Sequence, residues 1–184
     1  MTSERVSNYR DELELLFNTL LDDVVYAAEL LVTNDNQTNR RIYIRAIFAL
    51  LEGEIYERKQ MALAIIDSLQ HDILRDEIPL LTEIDMSIDD DGTPRARERH
   101  LPLAQNILYS LKIIARAFSI DPRIDKSNGW DALLKAIKIR HRITHPKSSI
   151  NLTIQDSEMK IVDQAFEWYR RTWGNIMDQM PKNK

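Results

Sequence analysis

The sequence predicts an all-α fold, a bundle of about five helices in one domain spanning residues 1–184, and three observations carry that prediction. Gly at 4 and Pro at 6 are too few for the many turns of an all-β sandwich or barrel. Apolar residues recur at three- and four-residue steps along most of the chain, the period of a helix with one buried face. Hydrophobic residues at 43% and charged residues at 29% form an ordinary globular balance, and 184 residues can bury a core without disulfides or metals.

The first helix is predicted from about Ser7 to Val32, with Leu13, Leu16, Phe17, Leu20, Leu21, Val24, Ala28 and Leu31 on one stripe. Turn and capping residues from Thr33 to Asn39 break the pattern. A second long helix follows from about Thr38 to Gln70, and the short connection makes the two an antiparallel hairpin. Between 71 and 101 the helical signal fades into an insertion. There Leu80, Thr82, Ile84, Met86 and Ile88 alternate with polar neighbours, and Asp89 to Pro94 is a turn cluster, so a short hairpin or an exposed loop is expected. A third helix restarts near Pro102, a residue suited to a first helical position, and runs to about Phe118. The fourth is read from about Gly129 to Thr144, where Pro146 ends it by disfavouring helical geometry at His145. The fifth runs from Asp156, a good N-cap, to about Met177.

Several function classes are excluded early. With no Cys there is no disulfide, no Cys-zinc site and no cysteine nucleophile. The start, Met1 to Arg10, is polar, and no stretch approaches a membrane span, so a cytoplasmic protein without a membrane partner is expected. The net charge of -4 argues against indiscriminate nucleic-acid coating but leaves room for a local basic site. No Gly-rich phosphate loop or G-x-S-x-G elbow is present.

That local site is found in the fourth helix and the loop after it. From Ala132 to Gln155 there are five basic residues, Lys135, Lys138, Arg140, Arg142 and Lys147, and no acidic one. His141 and His145 lie among them. Trp130, Leu133, Leu134 and Ile137 set an inward stripe whose continuation lands on Arg140, His141 and Thr144. An inward charge is costly unless it is paired or opens onto a cleft, and a cleft floored by Arg and His suits a phosphate. The plainer reading has equal weight here: arginines complementing a helix C-terminus, with surface histidines beside them.

The run Arg140-His141-Arg142-Ile143-Thr144-His145-Pro146 resembles the R-x(4–6)-H motif of the HEPN family (higher eukaryotes and prokaryotes nucleotide-binding domains). In that family a polar residue commonly follows the Arg and Pro commonly follows the His. Arg40-Arg41-Ile42-Tyr43-Ile44-Arg45 leading to Leu51-Glu52 is similar to the second helix of HEPN proteins from bacterial defence systems, and Trp168-Tyr169 falls in a final helix as in the family. The segment between His71 and His100 fits the pattern least.

The resemblance implies a HEPN-like helical bundle and a metal-independent endoribonuclease, acting as a bacterial toxin or phage-defence effector, with no cofactor. The implied partners are RNA, a second copy completing a composite active site, and an antitoxin or defence-system protein. Arg140 would clamp the transition state, His145 would act as general acid or base, and His141 would orient His145 or the phosphate. Lys138, Arg142, Thr144 and Lys147 would contact RNA. The alternative is a non-catalytic HEPN-like module that binds RNA, nucleotide or protein. A structural adaptor docking an acidic partner on the basic patch is a third reading.

Other constellations rank lower. His141 and His145 have the i, i+4 spacing of two metal ligands but no glutamate between them for a zinc protease, so no metal is expected. Ser87 to Glu98 echoes a calcium loop, yet Ser87 and Pro94 stand at the wrong positions. Arg45 and Glu52 share a helical face and are expected in ion pairs. His71 and His100 are read as loop histidines, and Trp130, Trp168 and Trp173 as core.

Overall fold

A computed structural model of the chain describes residues 3–69 and 76–180. Gln70, the expected end of the second helix, and His71 with the start of the insertion lie outside the described residues. The architecture is an all-α helical bundle. In chain order the elements are α1 (Ser3–Thr33), α2 (Gln37–Leu69), α3 (Ile78–Thr82), β1 (Ile84–Ile88), β2 (Pro94–Glu98), α4 (Leu103–Ala117), α5 (Asn128–Thr144), a 3₁₀ turn over Ser149–Leu152, and α6 (Asp156–Met177). No helix among the described residues is long and apolar enough to cross a membrane.

The described residues fall into two units. The first comprises those within Met1–Glu54 and Arg123–Gly174, and the second those within Ile55–Pro122 and Asn175–Lys184.

In the first unit, α2 begins at a cap: the Asn36 Oδ1 accepts the backbone N–H groups of Thr38 and Asn39 at 2.9 and 3.0 Å. Leu20 packs against Gly53, so α1 and the first half of α2 run antiparallel, as the short connection predicts. The buried apolar set comprises Val24 and Ala27 of α1, Ile44, Ile47, Phe48, Leu50 and Leu51 of α2, Ala132, Leu133, Ala136, Ile139 and Ile143 of α5, Ile154 of the loop, and Met159, Val162, Ala165, Trp168 and Tyr169 of α6. Each large side chain taken from water in this way contributes about 1.5–3 kcal/mol. Trp168 also donates from Nε1 to the Asp125 carbonyl at 2.7 Å, and its ring centroid is 5.5 Å from that of Trp130. Gly129 is required beside it, because a Cβ there would sit 2.3 Å from Trp168 Cδ1.

In the second unit the alternation over Ile84, Met86 and Ile88 is a true strand, paired antiparallel with β2. Leu80 and Thr82 belong instead to the short helix α3, whose second residue is Pro79 and whose buried residue is Leu81. The period-two reading ran too far toward the N-terminus because five residues are too few to display a helical period. Glu83 joins α3 to β1 in a left-handed conformation, φ 54° and ψ 34°. Its carboxylate accepts from Lys59 Nζ at 2.6 Å and from Asn106 Nδ2 at 2.9 Å. Lys59 is buried, and burial lowers its pKa despite the carboxylate beside it. Burial alone would raise the Glu83 carboxyl, but the bonds from Lys59 and Asn106 prevail and hold it below the usual range. Tyr109, whose ring lies 5.7 Å from Lys59 Nζ, donates to Glu77 at 2.9 Å, and Arg116 pairs with the same Glu77. The Asp89–Thr93 segment, expected as an acidic turn rather than a calcium loop, is the hairpin loop. Within it Asp91 accepts the Thr93 N–H, and Asp89 faces Arg95 and Arg97 at 3.6 and 3.8 Å.

Candidate functional site

The inward face of α5 differs from the expected stripe. Its buried positions are Ala132, Leu133, Ala136, Ile139 and Ile143, while Trp130, Leu134 and Ile137 are half-buried. Following only the large apolar residues rotates the face by about one position, because the small Ala132 and Ala136 are themselves buried. The correction moves His141 and Thr144 to the exposed side and leaves Arg140 on the flank.

Arg140 reaches across to α2, where its Nη2 pairs with Glu52 Oε1 at 2.6 Å. Both side chains keep contact with solvent, at 29% and 43% exposure. Glu52 is therefore in an ion pair, as expected, and its partner is Arg140 of α5. Arg45 instead donates from Nη2 to the Ile143 carbonyl at 2.9 Å, capping an orphan acceptor in the last turn of α5.

His141 and His145 stand together on the outer side of that turn, both exposed, their ring centroids 4.9 Å apart and tilted by 53°. His145 is the residue at which the helix ends. Its N–H still bonds the His141 carbonyl at 3.0 Å, but its backbone, at φ -121° and ψ 61°, has left helical geometry ahead of Pro146. The proline thus sets the direction of the His145 side chain. Thr144 Oγ1 donates back to the Arg140 carbonyl at 2.8 Å, so its hydroxyl proton is committed within the helix. Lys138 and Lys147 are exposed on either side.

Arg142 does other work. Its Nη1 donates to the carbonyls of Asn151 and Thr153 at 3.0 and 2.9 Å, and its Nη2 to Glu158 Oε1 at 2.7 Å. It ties the loop after His145 to α5 and α6, a positioning duty beside the RNA contact expected of it. The same loop is strapped to the start of α2. Gln37 exchanges two hydrogen bonds with the Ile154 backbone, at 2.9 and 2.7 Å, while Arg40 and Arg41 each donate at 3.0 Å to the carbonyls of Ile154 and Leu152. Arg40 also pairs with Asp35 and Asp156. Asn151 Oδ1 accepts the Lys147 and Ser148 N–H groups, closing the loop on itself. Arg142 and its α2 counterparts Arg40 and Arg41 therefore go to holding one loop, leaving Lys135, Lys138, Lys147 and the two histidines facing outward and Arg140 turned toward Glu52.

Sequence reasoning passed over one further surface feature. An open depression of about 620 Å³ is lined by Tyr43, Asp163, Phe166, Glu167, Arg170 and Arg171. Tyr43 donates to Asp163 at 3.1 Å, and burial together with the Asp163 charge pushes the phenol up to about 12. Burial raises the Asp163 carboxyl as well, although the Tyr43 bond opposes it. No local motif marks this pair, which lies 120 residues apart in sequence.

No family model, no curated protein and no solved structure matches the chain.

Proposed function

We propose that this chain is a metal-independent HEPN-type endoribonuclease, a cytoplasmic toxin or phage-defence effector that works as a homodimer with a composite site. The observation that carries the reading is the exposed imidazole pair of His141 and His145 at the end of α5, in the same two turns as Arg140. In the reaction a base takes the proton from a ribose 2′-OH, whose oxygen attacks the phosphorus. The P–O5′ bond breaks and an acid protonates the leaving 5′ oxygen, leaving a 2′,3′-cyclic phosphate and a 5′-hydroxyl. Imidazole can serve in either proton transfer, and a guanidinium matches the oxygens of the charged phosphorane. His145 is assigned acid/base duty, His141 the orientation of His145, and Arg140 the clamp. Lys138 and Lys147 hold flanking phosphates. Glu52 neutralises Arg140 in the absence of RNA, and a phosphate displaces it.

One observation favours a second reading. The Glu52 ion pair occupies the guanidinium that catalysis needs, which suits a non-catalytic module that binds RNA, nucleotide or an acidic protein weakly. Incubating the purified protein with varied RNAs in EDTA and examining the product ends separates the two. Cyclic phosphates are expected of the nuclease. Salt-sensitive binding with intact RNA marks an RNA-binding module, and indifference to RNA overturns the nuclease and leaves the module that binds nucleotide or an acidic protein.

A further inference from the structure

The hairpin β1–β2 is exposed along both strands, and its apolar side chains are among the most exposed in the protein. Ile84, Met86 and Ile88 have relative exposures of 44, 67 and 76%. Alternation places all three on one face with Ala96, which pairs with Met86, while Asp85 and Ser87 lie on the other. An isolated two-stranded hairpin is marginal in water, and a long exposed apolar edge is a liability that proteins cover or block.

The two edges are not equivalent. Backbone bonds at the two ends of the ladder, Arg99 N–H to Glu83 C=O at 2.7 Å and Asp89 N–H to Thr93 C=O at 3.0 Å, identify the hydrogen-bonded pairs. Such pairs alternate along an antiparallel ladder, so Asp85 and Ser87 direct their peptide groups inward to Arg97 and Arg95. The N–H and C=O groups of Ile84, Met86 and Ile88 therefore point to the free side of β1. On the free side of β2 the matching positions are Pro94, Ala96 and Glu98, and Pro94 has no N–H to offer. Among the described residues no other strand pairs with β1. One edge is blunted and the other is open.

We propose that the open edge of β1 is a self-association site, pairing antiparallel with β1 of a second copy about a two-fold axis at Met86. Strand overlap and the charge pattern together select this register. With Met86 opposite Met86 of the partner subunit, Ile84 meets Ile88 of the partner subunit, and Asp85 meets Ser87 of the partner subunit. A two-fold at residue 85 sets Asp85 against its own copy, and one at residue 87 sets Asp85 against Asp89 of the partner subunit. Both bring like charges together, which costs stability in a cross-strand pair. Registers offset by one residue place the apolar row against Asp85 and Ser87. Only the Met86 register joins all the apolar residues, opposes no like charges within the strand and uses every strand residue; beyond the strand ends it sets Asp89 against Glu83 of the partner subunit, a carboxylate already paired with Lys59 of its own chain. The result is a four-stranded sheet. Its contact is smaller than the roughly 800 Å² per partner of a standard interface, so micromolar dissociation is expected.

The test uses the full chain. Sedimentation equilibrium from about 1 to 300 μM is expected to show a reversible, concentration-dependent doubling of mass, from monomer to dimer or, where the composite-site dimer has formed, from dimer to tetramer. Met86→Pro removes an outward N–H and no bond within the hairpin, and Met86→Lys opposes two cations with the backbone intact; each is expected to weaken the dimer at least about tenfold. Because the chain has no Cys, Met86→Cys provides a single thiol per copy. Directly opposed residues of a hydrogen-bonded pair lie about 5.5 Å apart at Cα, within disulfide range, whereas Ile88→Cys thiols would be offset by four residues, roughly 13 Å. Rapid oxidation to a covalent dimer by the residue 86 variant and not the residue 88 variant is expected. A mass that does not change with concentration, an association step indifferent to both Met86 substitutions, or equal cross-linking at 86 and 88 overturns the proposal. None of these results depends on whether the protein cleaves RNA.

Discussion

Replacing Arg142 tests whether the cation in the middle of the basic run serves RNA or the fold. Arg142 makes two bonds to backbone carbonyls, at 3.0 and 2.9 Å, and an ion pair at 2.7 Å with Glu158. The side chain is 29% exposed and that of Glu158 24%, so solvent weakens all three. Taking about 1 kcal/mol for each carbonyl bond and about 0.2–1 kcal/mol for the pair, Arg142→Ala is expected to cost roughly 2–3 kcal/mol. For a chain of this length each kcal/mol lowers Tm by about 2–4 °C, so the expected fall is about 4–12 °C by circular dichroism. Arg142→Lys recovers only part of it, since one ammonium cannot span two carbonyls and a carboxylate as the planar fork does. A Tm within about 1 °C of the parent would refute the reasoning. It would do so most plainly if RNA affinity dropped in the same variant with a salt slope smaller by about one, the signature of a lost phosphate contact.

Three other expectations follow from the same geometry. Glu52→Gln releases Arg140 from a part-exposed pair worth about 0.2–1 kcal/mol, so Tm should move by no more than a few degrees while RNA binding strengthens; unchanged or weaker binding contradicts the competition between Glu52 and phosphate. Because the Glu83 carboxyl is held below its ordinary value, its contribution to stability is present above the unfolded carboxyl's pKa, about 4.3, and is lost as pH falls through the folded value. Urea midpoints measured from pH 7 to pH 3 should therefore decline less steeply at the acid end for Glu83→Gln than for the parent, and parallel curves would remove the carboxylate from the account. Gly129→Ala forces a methyl against Trp168 and should cost about 1–3 kcal/mol with a change in tryptophan fluorescence; a silent substitution would mean the contact is looser than described.

The helices were legible because their signal is local. Leu20, Val24, Ile44, Phe48 and Val162 advertise a period in their own neighbourhood, and Pro146 announces where α5 stops. The hairpin was legible for the same reason, through the alternation of Ile84, Met86 and Ile88. Partner choice was not. Nothing near Arg140 points to Glu52, which lies 88 residues away, and Arg142 looks like its neighbour Arg140 until the Asn151 and Thr153 carbonyls are in place. The stripe of α5 misled because alanines carry little hydrophobic signal, yet Ala132 and Ala136 are buried. Lys59 was invisible for the opposite reason: a lysine reads as surface, and its burial becomes tolerable only when Glu83, brought in from beyond the second helix, supplies the counter-charge.

The central claim, that Arg140 and His145 carry metal-independent RNA cleavage, is tested most directly by assaying the parent beside His145→Ala and Arg140→Ala in EDTA, with folding checked by circular dichroism. The account predicts 2′,3′-cyclic phosphate products from the parent and loss of cleavage in both folded variants. Cleavage that persists in either variant, or intact RNA from the parent across substrates, would contradict it.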